Sequence, residues 1–339
     1  MIGIGVVGYG HWGPNLARNF AAAGARIVAV GDRRRDRLEL ARRHYPRAML
    51  TAHWRDLIRT PGGDAVVVAT PPSRHFEIAN DSLSAGKHVL LEKPLSTSSE
   101  QACRLIESAA RRRLTLMVDH TFVHAGSIRS IHRLVADGML GKLRYYSGVR
   151  IGPPPACPHV NVLWDLAVHD IAILDHLIGR VPTAIAATGA CMSPGSSIGN
   201  AYLTLHFGED FVAHVHASWL SPVKIRRTLL GGERRTVVYD DLEPIEKVKV
   251  YGAPSAADDD RPPDRQRTGN GAETIWVPRL DSREPLALVA DRFLDCVTAG
   301  RRPLTDGEAG LRAVRVLEIA TASMAQGGRL LRVPDERPI

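Results

Sequence analysis

Over residues 1–120, short apolar runs alternate with stretches in which apolar positions recur every three or four residues. The runs are IGIGVV (2–7), ARIVAV (25–30), DAVVVAT (64–70), KHVLLE (87–92) and LTLMVD (114–119), and amphipathic segments lie near 14–23, 36–44, 75–85 and 98–112. Such alternation predicts βαβ units and a doubly wound parallel sheet with helices on its faces. Past residue 121 the texture changes. Helical periodicity covers 124–137 and 166–178, around a Pro-rich loop, GPPPACPHVN. Two-residue alternation then marks LRYYSGVRIG, YLTLHF, VAHVHASW, RRTLLGG, RTVVYDD and KVKVYG as strands of a mostly antiparallel open sheet. Residues 252–272, rich in Pro, Gly, Asp and Arg, read as a mobile excursion, and helical patterns near 285–299 and 306–326 close the chain. The expected fold is α/β: an N-terminal Rossmann domain, 1–121, and a C-terminal α+β domain, 122–339.

The chemistry begins where the first strand ends. In VVGYGHWGPN the glycines Gly8, Gly10 and Gly13 give GxGxxG between a strand and a helix, the arrangement that cradles a pyrophosphate. Gly8 allows the tight turn, Gly10 lets backbone approach the phosphates, and Gly13 lets helix and strand pack closely. Pro14 suits the first position of the helix, whose N-terminus supplies amide donors. The second strand ends at Asp32, where a carboxylate accepts both hydroxyls of the adenosine ribose and favours NAD. Arg33, Arg34 and Arg35 cut the other way, since an arginine there can pair with the 2′-phosphate of NADP, or can simply be solvated. NAD is the expected cofactor, with NADP left open.

Two other strand ends carry candidates. TPPSRH follows the third run; its Pro-Pro step and Ser73, read as a helix cap, would wall the cofactor, with Thr70, Pro71 and His75 alongside. In HVLLEKPLS, Pro94 stops the strand and biases Lys93 away from helix, leaving the lysine at the carboxyl edge of the sheet where ligands bind. Its plain alternative is a surface loop lysine. On a helix starting near Asp165, that acid and His169 are four apart and share a face. Asp165 could be only a cap and His169 only a core residue. Oxidation of an alcohol by nicotinamide needs a base for the hydroxyl proton and a cation beside the developing alkoxide, and His169 and Lys93 are of those types.

Composition narrows the partners. The formal charge is +8, yet only six of the 44 basic residues are lysine, a skew that looks compositional, and no nucleic-acid motif is present. The expectation is no nucleic-acid partner. No apolar run approaches membrane-spanning length and no signal-like N-terminus is seen, so no membrane partner and a cytoplasmic location are expected. Cys103, Cys157, Cys191 and Cys296 have no ligand spacing, so neither a metal site nor a disulfide framework is indicated.

GxGxxG with its strand-end acid, TPPSRH, AGKHVLLEKP and DLAVHD, in this order and spacing, resemble the Gfo/Idh/MocA oxidoreductases over nearly the whole chain. The resemblance implies that Lys93 is the active-site lysine and that Asp165 and His169 face the nicotinamide across the substrate. It implies cofactor contacts from His11, Trp12 and Glu92 as well, and a second-domain sheet that walls the site and assembles a homodimer or homotetramer. NVLWDLAVHD and YDDLEPIEKVKVYG look most like the branch acting on nucleotide-linked or amino sugars, and His120, His124, Arg150 and Asn161 are then candidate substrate contacts. His124 stands where tyrosine, or another residue before a proline, is expected. The implied reaction is hydride transfer between NAD(P) and a secondary alcohol, at C3 of a nucleotide sugar. Alternatives are an NADPH-dependent 3-ketosugar or cyclitol reductase, an enzyme that keeps its cofactor between turnovers, and a non-catalytic NAD sensor.

Overall fold

The computed structural model describes residues 1–155, 158–252, 265–267 and 274–334. The chain forms two compact units, Met1–Ala125 with Arg283–Arg315, and Gly126–Ser282 with Val316–Ile339.

The first unit is built on six parallel strands: β1 (Gly3–Val7), β2 (Arg26–Gly31), β3 (Met49–Thr51), β4 (Ala65–Val68), β5 (His88–Glu92) and β6 (Leu116–Asp119), in the order β3-β2-β1-β4-β5-β6. The chain runs outward from β1 in both directions, so the crevice of this doubly wound sheet opens at the carboxyl end of β1. β1, β4 and β6 are buried along their whole length, which is why they read as continuous apolar runs. The helices are α1 (Gly13–Ala22), α2 (Arg35–His44), α3 (Trp54–Ile58), α4 (His75–Ser84), α5 (Ser99–Arg112) and the short α6 (Thr121–His124). Ser98 caps α5 by accepting from the Gln101 amide at 3.2 Å, whereas Ser73 caps nothing: it is exposed within a 3₁₀ turn, Pro72–Arg74, that leads into α4.

The sequence order alone assigns 122–339 to one domain, but 283–315 pack in the first unit. Helix α9 (Pro285–Ala299) lies on α1, with Phe293 edge-on to Phe20 at 5.7 Å, and Glu284 just before it receives Arg18 and Asn19. Thr305 then pairs with the free edge of β6, its carbonyl accepting from the Val118 amide at 2.8 Å. The apolar period of 285–299 shows that a face is buried without showing against what.

The second unit carries α7 (Gly126–Ala136), a π-helical turn at Leu163–Ala167, α8 (Val168–Ile178) and the last part of α10 (Gly307–Ala325). Its strands are β7 (Leu143–Ile151), β8 (Ala184–Cys191), β9 (Ile198–His206), β10 (Val212–Ser218), β11 (Ile225–Gly232), β12 (Arg235–Asp240), β13 (Val248–Gly252), β14 (Arg265–Arg267), β15 (Thr274–Trp276) and β16 (Leu331–Arg332). They form one ten-stranded sheet, β14-β15-β13-β12-β11-β7-β10-β9-β8-β16, antiparallel except where β10 runs parallel to β7. Alternate residues of β7 and β9–β12, among them Tyr146, Leu203, Val215, Leu230 and Tyr239, fill the core, and the other face of β9 and β10 carries Tyr202 stacked on His216 at 4.3 Å. Of the expected excursion at 252–272, Gly252 ends β13 and 265–267 form β14; the rest, like Cys157, lies outside the described residues.

Candidate functional site

The carboxyl edge of the first sheet is shaped by backbone that leaves no room for side chains. Gly8 has φ 91°, and a Cβ there would stand 2.5 Å from the Ala69 carbonyl; one on Gly13 would stand 2.0 Å from the Gly8 carbonyl. Gly10 is different. No atom lies within 4 Å of its ideal Cβ, so the space above the loop is open, as close approach of a pyrophosphate requires. Trp12, 44% exposed, borders the loop edge-on to His11 at 5.3 Å.

Asp32 is fixed by this loop, one oxygen accepting from the Tyr9 amide at 2.7 Å and the other from the Arg34 amide at 2.9 Å. Each oxygen keeps a lone pair for a ribose hydroxyl. Arg34 pairs with Asp36 at 2.6 Å and Arg35 with Glu39 at 3.2 Å, whereas Arg33 is exposed and forms no ion pair among the described residues. At the end of β4 the hydroxyl of Thr70 is buried and has no hydrogen-bond partner there. An open cradle, a strand-end acid and an orphaned buried hydroxyl fit a bound dinucleotide.

His75 does not face outward beside Thr70 and Pro71. Its ring is wholly buried, with Nδ1 2.8 Å from the Pro94 carbonyl and Nε2 2.8 Å from the Thr70 carbonyl, so it supports the two loops from behind.

Lys93 follows β5 directly, half-buried, its amide donating to Glu92 Oε2 at 3.2 Å. Glu92 is 8% exposed and stands across the ladder from Asp119, 1% exposed at the end of β6. Asp119 Oδ1 accepts from Thr121 Oγ1 at 2.7 Å, and its buried Oδ2 has no hydrogen-bond partner among the described residues. Burial, above all, pushes both carboxyls up, Glu92 well above its usual range and Asp119 to about 6. A buried pair of carboxyls, both pushed up in pKa, therefore sits beside Lys93.

Two candidate substrate residues on this unit are buried, and among the described residues a hydrogen bond is shown for His124 but not for His120. His124 is buried, its Nε2 3.3 Å from Thr305 Oγ1, a hydroxyl that donates onward to the Val118 carbonyl. His120 is buried with no partner on either ring nitrogen, and burial pulls its pKa down to about 3, with His124 and Lys93 adding to the shift.

On the second unit, Asp165 and His169 lie either side of the junction between the π-helical turn and α8. Such turns re-aim side chains and recur at functional sites. Asp165 is not a cap: its Oδ2 accepts from Trp219 Nε1 at 3.3 Å, and Asn161 does the capping, its Oδ1 accepting from the Trp164 amide at 3.2 Å. Asn161 thus holds the turn. Arg150 is likewise committed, its Nε 2.8 Å from Asp170 with both side chains nearly inaccessible, while Tyr146 donates to the other Asp170 oxygen at 2.8 Å. Gly148 makes room, since a Cβ there would meet Asp170 Oδ1 at 2.6 Å. This network locks α8 to β7 one residue beyond His169.

Comparison with known proteins decides the family. The Gfo/Idh/MocA profile of an oxidoreductase family with an NAD-binding Rossmann fold matches residues 2–120, and the profile of its C-terminal alpha/beta domain matches 133–332. The chain belongs to the Gfo/Idh/MocA oxidoreductase family. It is 28% identical over 324 residues to a UDP-N-acetylglucosamine 3-dehydrogenase of Acidithiobacillus ferrooxidans, covering 91% of this chain and 93% of that one. It is 30% identical over 237 residues, 64% of this chain and 70% of the relative, to a dTDP-3,4-didehydro-2,6-dideoxy-alpha-D-glucose 3-reductase of Saccharopolyspora spinosa. The solved structure of the Acidithiobacillus enzyme superposes with a TM-score of 0.82 at 26% identity, over 96% of this chain and 99% of that one. The family fixes the cofactor class: this Gfo/Idh/MocA member is an NAD-binding oxidoreductase. Among its described residues no group of acidic, histidine or cysteine side chains is placed to hold a metal, and no helix is long and apolar enough to cross a membrane.

Proposed function

We propose that this protein transfers hydride between NAD and a secondary alcohol or ketone of a sugar, at C3 of a nucleotide-linked sugar. One observation carries the reading: a lysine at the edge of the NAD-binding sheet, beside a buried pair of carboxyls, occurs in the same chain as an acid and a histidine at a π-helical junction. Gly8, Gly10, Gly13 and Asp32 hold the dinucleotide, which takes the hydride when bound. In oxidation the carbon gives up its hydride while the hydroxyl proton passes to His169 Nε2, and the C–O bond becomes a carbonyl. Asp165, fixed by the Trp219 ring N–H, supplies a carboxylate one turn before the histidine. The Lys93 ammonium steadies the negative charge on oxygen as the proton leaves, and the same steps run backward in reduction.

The nucleotide-sugar preference rests on the full-length similarity to a UDP-N-acetylglucosamine 3-dehydrogenase. A second reading, reduction of a 3-ketosugar with NADPH, is favoured by the exposed Arg33 beside Asp32 and by the shorter similarity to a dTDP-ketosugar 3-reductase. The same proposal assembles the enzyme as a homodimer or homotetramer through the open face of the second unit's sheet, in the cytoplasm. A panel of UDP-, dTDP- and GDP-sugars, free sugars and inositols, each with NAD and NADP and read by nicotinamide absorbance, tests it. Turnover is expected on a UDP-linked sugar; turnover on free inositol alone contradicts the preference.

A further inference from the structure

His75 opens α4 with no accessible surface, and both its ring nitrogens lie 2.8 Å from backbone carbonyl oxygens, Pro94 on one side and Thr70 on the other. Carbonyls only accept. A neutral imidazole carries one N–H and can bond just one of these oxygens, turning a lone pair on the other; an imidazolium donates to both. We propose that His75 is held as an imidazolium whose two N–H groups tie the end of β4 to the Lys93–Pro94 loop, and that this clamp positions Lys93.

The two carbonyls belong to the residues that matter for such a role. Thr70 carries the orphaned hydroxyl at the edge of the cradle, and Pro94 follows Lys93 immediately. With its ring enclosed, His75 touches neither cofactor nor substrate and acts only through these loops. The lysine stem is anchored on one side by its own amide bond to Glu92 and on the other by the clamp at Pro94. Losing one of the two bonds frees the loop to shift by fractions of an ångström, enough to misplace an ammonium that must meet an oxygen in the transition state.

The ring's charge is contested by its surroundings. Burial, the largest influence, holds its pKa below the usual value; the two carbonyl contacts pull it up in part, and Lys93 pushes it down. Other charges on the neighbouring elements are engaged elsewhere: Arg74 with Glu77 at 3.2 Å, Asp81 with Arg55 at 3.1 Å, Arg104 over the Phe76 ring, and Glu92 with the Lys93 amide at 3.2 Å. Raising the pH removes the second proton, breaks one bond and loosens Lys93. Turnover therefore falls as the pH rises through that lowered value, opposite in direction to the acid-side loss expected of His169 as a base.

The inference rests on the assignment of Lys93 to the reacting oxygen, but its state can be read without substrate. In protein labelled with ¹⁵N-histidine, with His75 assigned by its absence from His75→Gln, both ring nitrogens should be protonated at the pH of maximal turnover and should titrate with the alkaline limb. His75→Gln keeps one donor and no charge. It should lower kcat by about 10–100-fold, abolish that limb and leave the NADH dissociation constant unchanged within about twofold. Should the variant not fold, neutron diffraction of crystals grown from the wild-type protein counts the deuterons on the ring. A neutral single tautomer at the pH of maximal turnover, or full kcat in His75→Gln, overturns the clamp; failure of Lys93→Met to lower turnover would instead overturn the role of Lys93.

Discussion

Asp32 is oriented before any ligand arrives, because the Tyr9 and Arg34 amides each take one of its oxygens. The carboxylate can then meet the ribose hydroxyls without first giving up rotamer freedom. Asp32→Ala should weaken NAD binding by about 1–3 kcal/mol, the size of hydrogen bonds to a charged group, and weaken NADP binding less. Titration of both cofactors against both proteins checks this, and equal losses would remove Asp32 from the ribose. Lys93 was legible in the sequence because Pro94 marks the strand end. Its surroundings were not. That Asp119 stands across from Glu92 depends on the β5–β6 register, and residues 27 apart carry no sign of it. Arg150, Asn161 and His124 look available as a sequence, yet Asp170, the Trp164 amide and Thr305 take them.

Elements with a strong period were readable and short or small-residue ones were not. The helices at 75–84, 99–112 and 285–299 match their patterns closely. β8, an Ala- and Gly-rich strand, and three-residue β3 present too little alternation to stand out. The π-helical turn before α8 widens the helix at Asp165, where the pattern reads as ordinary α-helix. Helix α8 also carries a pH-dependent contact, since His176 stacks on His132 of α7 with centroids 4.4 Å apart. Burial, and secondarily His132, pull the His176 pKa to about 4. The folded form thus prefers the neutral ring: this contribution to stability is fully present above about pH 6.5, the unfolded value, and is lost as the pH falls through 4. His176→Gln should flatten the urea midpoint over that range relative to wild type, and identical pH dependences would contradict the assignment.

Across the whole molecule, the split into an NAD-binding unit and a sheet unit was legible from the change in texture near residue 121, while the return of 283–315 to the first unit was not. The period of α9 specifies a buried face, and contacts such as Phe293 on Phe20 and Glu284 with Arg18 and Asn19 reveal where it goes. The charge of +8 belongs to this level too. Many of its arginines are spent on surface acids, as at Arg18, Arg34, Arg35 and Arg55, rather than gathered into a stripe. Binding to duplex DNA should therefore be weak, independent of sequence and lost steeply with added salt, as a salt titration by fluorescence anisotropy would show; salt-resistant, sequence-specific binding would favour a regulator instead. An enzyme and a regulator differ most at Lys93. Lys93→Met keeps the apolar stem and removes the charge, so NAD affinity should stay unchanged while kcat, at saturating NAD and sugar, falls by about 10²–10³-fold. A fall of less than about tenfold would show that the lysine does not stabilise the reacting oxygen.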